Sequence, residues 1–447
     1  MTGQERQLSD LSARLEDASP AQRQDLLQQM TEVGEQAIPF LIEHLESSDY
    51  RLRGAAAEAL GNIAGRGAVS NLIELLADSS VNAQRSAAEA LTKVGGAAVE
   101  ELLEALISKD QGARRWAAEA LGSIGDTSVA ASLVTRLADP NTEVQRATIT
   151  ALGELRSKFA IDPLIAILSS EHVELARAAA EALGKIKSPQ AVKPLIDALS
   201  SPSDDVREAA AQALVLIGKR SVPPLLKKFE DPDHRVRIHV ASILGEIGDE
   251  RVIDTLVAGL VDCNESVVCR AAASLGRLAG DGAIKHLAKL VKSPIATIRC
   301  AAATGLSYAR DYKAVEPLTR LLQDGDWATR MTAARGLGLV GRAAGAKSLC
   351  VALGDREWCV RMHAAASLGK VGDRKAATPV LVNALRDKKD QVRKAAVESL
   401  AALQVAEAIA PLQALLHDEN AAVAEAAAQA LKALEPLAAP ARETAKA

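Results

Sequence analysis

Aromatic residues are nearly missing from this chain: three Trp, three Tyr and three Phe make up 2% of its 447 residues. Sheets fill their pleated faces with aromatic and β-branched side chains, so this scarcity argues for closely packed helices of Ala, Leu, Val and Ile. Charge imbalance is missing too. Lys and Arg total 53 against 57 Asp and Glu, which leaves no global field to draw nucleic acid or an anionic membrane. The opening MTGQERQLSD lacks the apolar stretch of a secretory signal, and no apolar run is long enough to span a bilayer. The N-terminal half has no cysteine. Cys263, Cys269, Cys300, Cys350 and Cys359 read as free thiols, so the expected setting is a reducing cytoplasm.

What the chain does have is repetition. RGAAAEALGNIAG from Arg53, RRWAAEALGSIGD from Arg114, REAAAQALVLIGK from Arg207 and RMHAAASLGKVGD from Arg361 are copies of one unit. Their shared Leu, Met in the first copy, recurs at 30, 60, 91, 121, 152, 183, 214, 244, 275, 306, 337, 368, 400 and 431. Fourteen copies 30 to 32 residues apart predict an all-α solenoid, each copy burying its apolar face on its neighbours. The repeats are expected to fill 1–435 as a single solenoid, with 436–447 as a flexible C-terminal tail.

Apolar residues recur at three and four while Gly, Pro and Asp fall at the joints, so each copy reads as two helices. In IGDTSVAASL, Gly125 is placed to end one helix in a left-handed conformation and Asp126 to cap the next. Pro163, Pro194, Pro317, Pro379 and Pro411 each sit eleven residues after their anchor, which predicts a first turn, where a missing N–H matters little.

One stretch, DGDWATRMTAARGLGLVG, contains a GxGxxG in Gly336, Gly338 and Gly341. A dinucleotide loop needs these glycines between a strand and the start of a helix. Here they straddle the anchor Leu337 near the end of a helix, so they are read as packing glycines. The nearby GRAAGAKS lacks the adjacent Gly-Lys of a phosphate loop.

The pattern VR, then AAxALGxIGD, then AVxPLIxAL resembles the HEAT-like repeats named after the phycobilisome lyases. The resemblance covers nearly the whole chain and implies an α-α superhelix whose second helices line a concave side. It also implies that aspartates such as Asp231, Asp324, Asp355 and Asp387 stack with Arg53, Arg207, Arg237, Arg299, Arg330, Arg361 and Arg393 into a ladder between copies. Family members include bilin lyases, protein-binding scaffolds and some enzymes. The branch that hydroxylates deoxyhypusine binds two irons through paired His-Glu steps, and none of the seven histidines here is followed by Glu.

In each second helix the residues eight and four before the anchor, the anchor and three after form the buried stripe. Those ten, six and two before and two after lie opposite and should face the groove. In the third to sixth copies this face presents one arginine per copy, Arg85, Arg115, Arg146 and Arg177. Glu89, Glu119 and Glu181 stand one turn from three of them, and Arg146 has none at that spacing. From the eighth to the twelfth copy the same positions turn apolar. They supply Ile238, Cys269, Cys300, Tyr308, Trp327, Met331, Leu339, Trp358 and Met362, alongside Arg277, Arg335 and Lys370. A row of Trp, Met and Cys makes an adaptable apolar surface if exposed. The alternative is that neighbouring copies bury these side chains against one another.

No nucleophile with a base can be picked out, so no catalytic residue is assigned. Cys359 and His363 are one turn apart, but two ligands do not make a metal site, and no metal or cofactor is expected. The expected function is a non-enzymatic scaffold that holds a protein segment in its concave groove, the apolar half anchoring it and the charged half orienting it. The alternative is a bilin lyase-like protein handling a tetrapyrrole chromophore. Nucleic-acid binding comes third, because three of the arginines have a carboxylate at hand.

Overall fold

The computed structural model describes residues 3–63, 66–278, 281–341 and 343–438, and every regular element among them is helical. The chain forms two compact units, Met1–Pro224 and Leu225–Ala447. Both are stacks of two-helix copies. In the first unit the second helices run Pro20–Val33, Tyr50–Ile63, Val81–Val94, Gln111–Ile124, Thr142–Glu154, Val173–Ile186 and Asp204–Ile217. In the second they run His234–Ile247, Glu265–Leu278, Ala296–Ala309, Trp327–Val340, Trp358–Val371, Asp390–Ala402 and Ala421–Ala438. The first helices are mostly shorter, such as Val192–Ala198, and several are entered through a 3-10 turn such as Pro189–Ala191.

Burial explains the period. The anchors from Met30 to Leu400 are all buried, and Leu431 in the last of these helices is half-buried. Close approach does the rest. A Cβ added to Gly61 or Gly122, one residue past the anchor, would lie 2.6 Å from the Cα of Ala90 or Ala151 in the next second helix. Helices with such small residues facing each other can pack at short range along their length. Within each unit, consecutive second helices pack closely on one another while consecutive first helices barely touch. The second helices of each unit therefore form one closely packed layer, the one that the resemblance implies to be the inner.

The joints follow the expected chemistry. Gly125 has φ 82° and closes its helix, while the Asp126 carboxylate accepts from the Ser128 amide at 2.9 Å. Four of the five prolines occupy the first turn of a short first helix, but Pro379 lies inside Arg374–Ala384 because that helix begins earlier, at the Asp373 cap. The helix Ala421–Ala438 runs past position 436, and residues 439–447 of the expected tail lie outside the described residues. The GxGxxG closes Trp327–Val340 rather than opening a helix. Gly336 and Gly338 back onto Ser307 and Ser367 of the flanking helices, and Gly341, at φ 67°, ends the helix.

The ladder is present, with a membership that differs in part from the expected one. Seven arginines, Arg53, Arg114, Arg237, Arg299, Arg330, Arg361 and Arg393, each place Nε and Nη2 on both oxygens of an aspartate in the next copy, at 2.6–3.0 Å. The acceptors are Asp78, Asp139, Asp262, Asp324, Asp355, Asp387 and Asp418. Such two-point pairing needs the planar guanidinium fork. Each Nη1 also donates to a carbonyl of its own loop, as Arg330 does to Asp324 O at 2.9 Å. Arg23 joins with a single bond to Asp49 at 2.5 Å. Arg207, expected in the ladder, instead pairs with Asp204 of its own helix, and Asp231 takes Lys228 at 2.8 Å.

Candidate functional site

The exposed face of the second helices in the second unit carries the apolar stripe. Trp327 is 48% exposed, Trp358 37% and Tyr308 40%. Ile238, Cys269, Cys300, Met331, Leu339 and Met362 are half-buried. The alternative of burial between copies therefore does not hold for the two tryptophans. They are the first residues of their helices, ten before the anchor. The third tryptophan is the opposite case. Trp116 stands five before its anchor, is 4% exposed, and donates from Nε1 to Gln84 Oε1 at 2.9 Å.

Along the stripe, contact runs from helix to helix. Cys300 Sγ lies 3.4 Å from Thr332 Oγ1, and a shallow hollow between copies is lined by Ile238, Glu265, Cys269, Ala273 and Thr297. At its far edge Glu246 reaches Arg277 at 3.7 Å, and the Arg277 guanidinium lies 5.5 Å from the centre of the Tyr308 ring. Burial pushes the Cys269 thiol up, away from the thiolate that nucleophilic chemistry would need. Cys359 and His363 are both half-buried, and among the described residues no group of three His, Cys, Asp or Glu converges.

The first unit's arginines stand in the expected row, but their partners differ from the expected ones. Arg177 does pair with Glu181, at 2.5 Å. Arg146, expected to stand alone, has the nearer Glu143 at 2.7 Å, and Glu143 also lies 4.0 Å from Arg115 on the preceding helix. Arg115 rests its guanidinium 4.7 Å from the Trp116 ring centre. The Arg85 side chain bonds Asn82 Oδ1 at 3.5 Å rather than Glu89. Glu143 was open to an i,i+3 reading for Arg146 on the same helix, but its approach to Arg115 crosses to another helix and leaves no trace in spacing along one.

The family model described as HEAT repeats matches residues 8–92, 69–144, 130–215, 192–276, 222–299, 284–355 and 346–432. The chain belongs to the HEAT-repeat family. Solved structures of low sequence identity share its fold. Importin beta, crystallised from ammonium sulfate, is 15% identical over 96% of this chain and 73% of its own, with a TM-score of 0.56. Kap95p with RanGDP is 15% identical over 96% of this chain and 66% of its own, at 0.64. Kap95 in complex with Nup1 gives 15%, 95%, 70% and 0.62. Among proteins with curated functions, none matches the sequence. No helix among the described residues of this HEAT-repeat chain is long and apolar enough to cross a membrane.

Proposed function

We propose that this HEAT-repeat chain is a non-enzymatic, cytoplasmic scaffold of the phycobilisome-lyase repeat type that holds a segment of a partner protein. The apolar inner face of the second unit anchors the segment, and Arg85, Arg115, Arg146 and Arg177 of the first unit steer its approach. One observation carries the reading: two tryptophans at the same repeat position, on adjacent helices, stand in solvent on a protein that has only three. Exposed aromatic area of this kind is a typical binding anchor. Structural neighbours in complex with Ran and Nup1 support it as examples of the fold holding other proteins.

The test is a parallel capture from native lysate by the wild type and by Trp327→Ala with Trp358→Ala, with folding followed by hydrogen exchange. Partners should be retained by the wild type and bound about thirtyfold more weakly by the double variant, which should keep its fold. If the double variant unfolds the second unit while its folded fraction still holds the same partners, the proposal fails. A tetrapyrrole absorption band in the wild-type eluate would favour the chromophore-handling alternative instead.

A further inference from the structure

The charges around the tryptophans are unequally satisfied. Asp326, beside Trp327, accepts from the Thr329 amide and hydroxyl at 2.8 Å each, and Glu357, beside Trp358, lies 3.9 Å from Arg356. Asp324 and Asp355 are tied into the ladder. Further along the same two helices Arg335 and Lys370 are exposed, and among the described residues neither makes a side-chain hydrogen bond or ion pair. Between the tryptophans and these cations lie Met331 and Met362, and Leu339 follows Arg335, all three half-buried. Burial lowers the pKa of the His363 imidazole, and the Arg335 and Lys370 charges lower it further, so both cations bear on this one patch.

We propose that this face binds an acidic amphipathic segment, its apolar side chains on Trp327, Met331, Trp358 and Met362 and its carboxylates on Arg335 and Lys370. The proposal rests on the scaffold reading above and adds the chemistry of the partner. Unpaired cations beside exposed aromatic surface are complementary to carboxylates and hostile to a basic segment. The geometry also sets a spacing. Eight residues separate Trp327 from Arg335 and twelve separate Trp358 from Lys370, about 12 and 18 Å along a helix axis. An extended segment covers that with roughly four or five residues between its apolar anchor and its acidic group.

The experiment selects from a library of short peptides in which Leu, Phe or Trp alternate with positions drawn from Glu, Gln, Lys and Ser. Selection is run on the full chain, on Arg335→Glu with Lys370→Glu, and on Trp327→Ala with Trp358→Ala, each checked for helicity by circular dichroism. The wild type should enrich acidic sequences and bind them about tenfold more tightly than their Gln counterparts at low salt. The charge-reversed variant should prefer Lys-bearing sequences. Equal enrichment of neutral or basic peptides by the wild type overturns the acidic class while leaving the apolar anchor standing. If enrichment does not depend on the tryptophans at all, the anchoring reading itself falls.

Discussion

The residue six before the anchor is Arg in four successive copies of the first unit and Ile, Cys, Cys, Met and Met in five copies of the second. The frame beneath the two rows is the same: buried anchors, a buried alanine face and Arg–Asp pairs joining one copy to the next. What differs most in chemistry is the face that packing leaves alone. Positions that touch the next helix are constrained by volume, since a Cβ at Gly122 would collide with Ala151, whereas positions facing outward can change chemistry without touching the fold. One scaffold therefore presents a charged surface in one unit and an apolar surface in the other.

Acid should separate the units by the largest margin. The Arg237, Arg299 and Arg393 guanidinium groups hold Asp262, Asp324 and Asp418 below the ordinary carboxylate value. A carboxyl whose pKa is depressed on folding contributes stability that is complete above its unfolded value, here 3.8, and is lost as pH falls through the folded value. Both units should therefore be unaffected at neutral pH and loosen below about pH 4. Among the described residues the second unit has five two-point ladder pairs, from Arg237 to Arg393, and the first has two, Arg53 and Arg114, besides the single bond of Arg23. Pepsin cleavage mapped along the chain should open the second unit first as pH is lowered. Simultaneous opening would mean the ladder is not what distinguishes their acid stability.

The tryptophans give a narrower contrast. Trp116→Ala removes a buried indole and leaves Gln84 without its donor, so the first unit should lose about 3–5 kcal/mol by denaturant titration. Trp327→Ala and Trp358→Ala should each cost about 0.5 kcal/mol or less, because surface truncations seldom cost more. Equal destabilisation at all three positions would show the second unit's face to be core after all.

The contrast also marks how far the sequence could be read. The period, the anchors, Gly125 with Asp126 and the packing role of Gly338 follow from spacing, because each depends on residues within one copy or at the same position in the next. Arg23 and Arg114 were left out of the expected ladder although they too sit seven before their anchors, so the spacing carried a signal that was not used. Arg207 was misread because a competing carboxylate, Asp204, stands one turn away on its own helix. The ion pairs of the arginine row were the least legible. Glu143 reaches Arg115 from another helix, and which of several surface rotamers forms a pair is decided by tenths of a kcal/mol that no spacing records.

That last point yields the smallest predicted effect. Glu143 holds Arg146 and approaches Arg115, and Glu181 holds Arg177, so within the row Arg85 is the arginine whose partner is a neutral amide. Electrostatic binding to a duplex scales with the number of phosphates neutralised, and a cation already paired with a carboxylate releases few counterions. The first unit should therefore bind duplex DNA weakly, with a shallow salt slope, and lose it at about 0.15 M salt. Arg85→Ala should remove most of the residual affinity, while Arg177→Ala, which also frees Glu181, should change it little and alter stability by no more than about 0.5 kcal/mol. Filter binding across a salt series measures both. A steep slope retained at physiological salt, or equal losses from the two substitutions, would mean that the carboxylates do not screen the row, and the charged unit would then be a phosphate-binding surface rather than a guide for a protein partner.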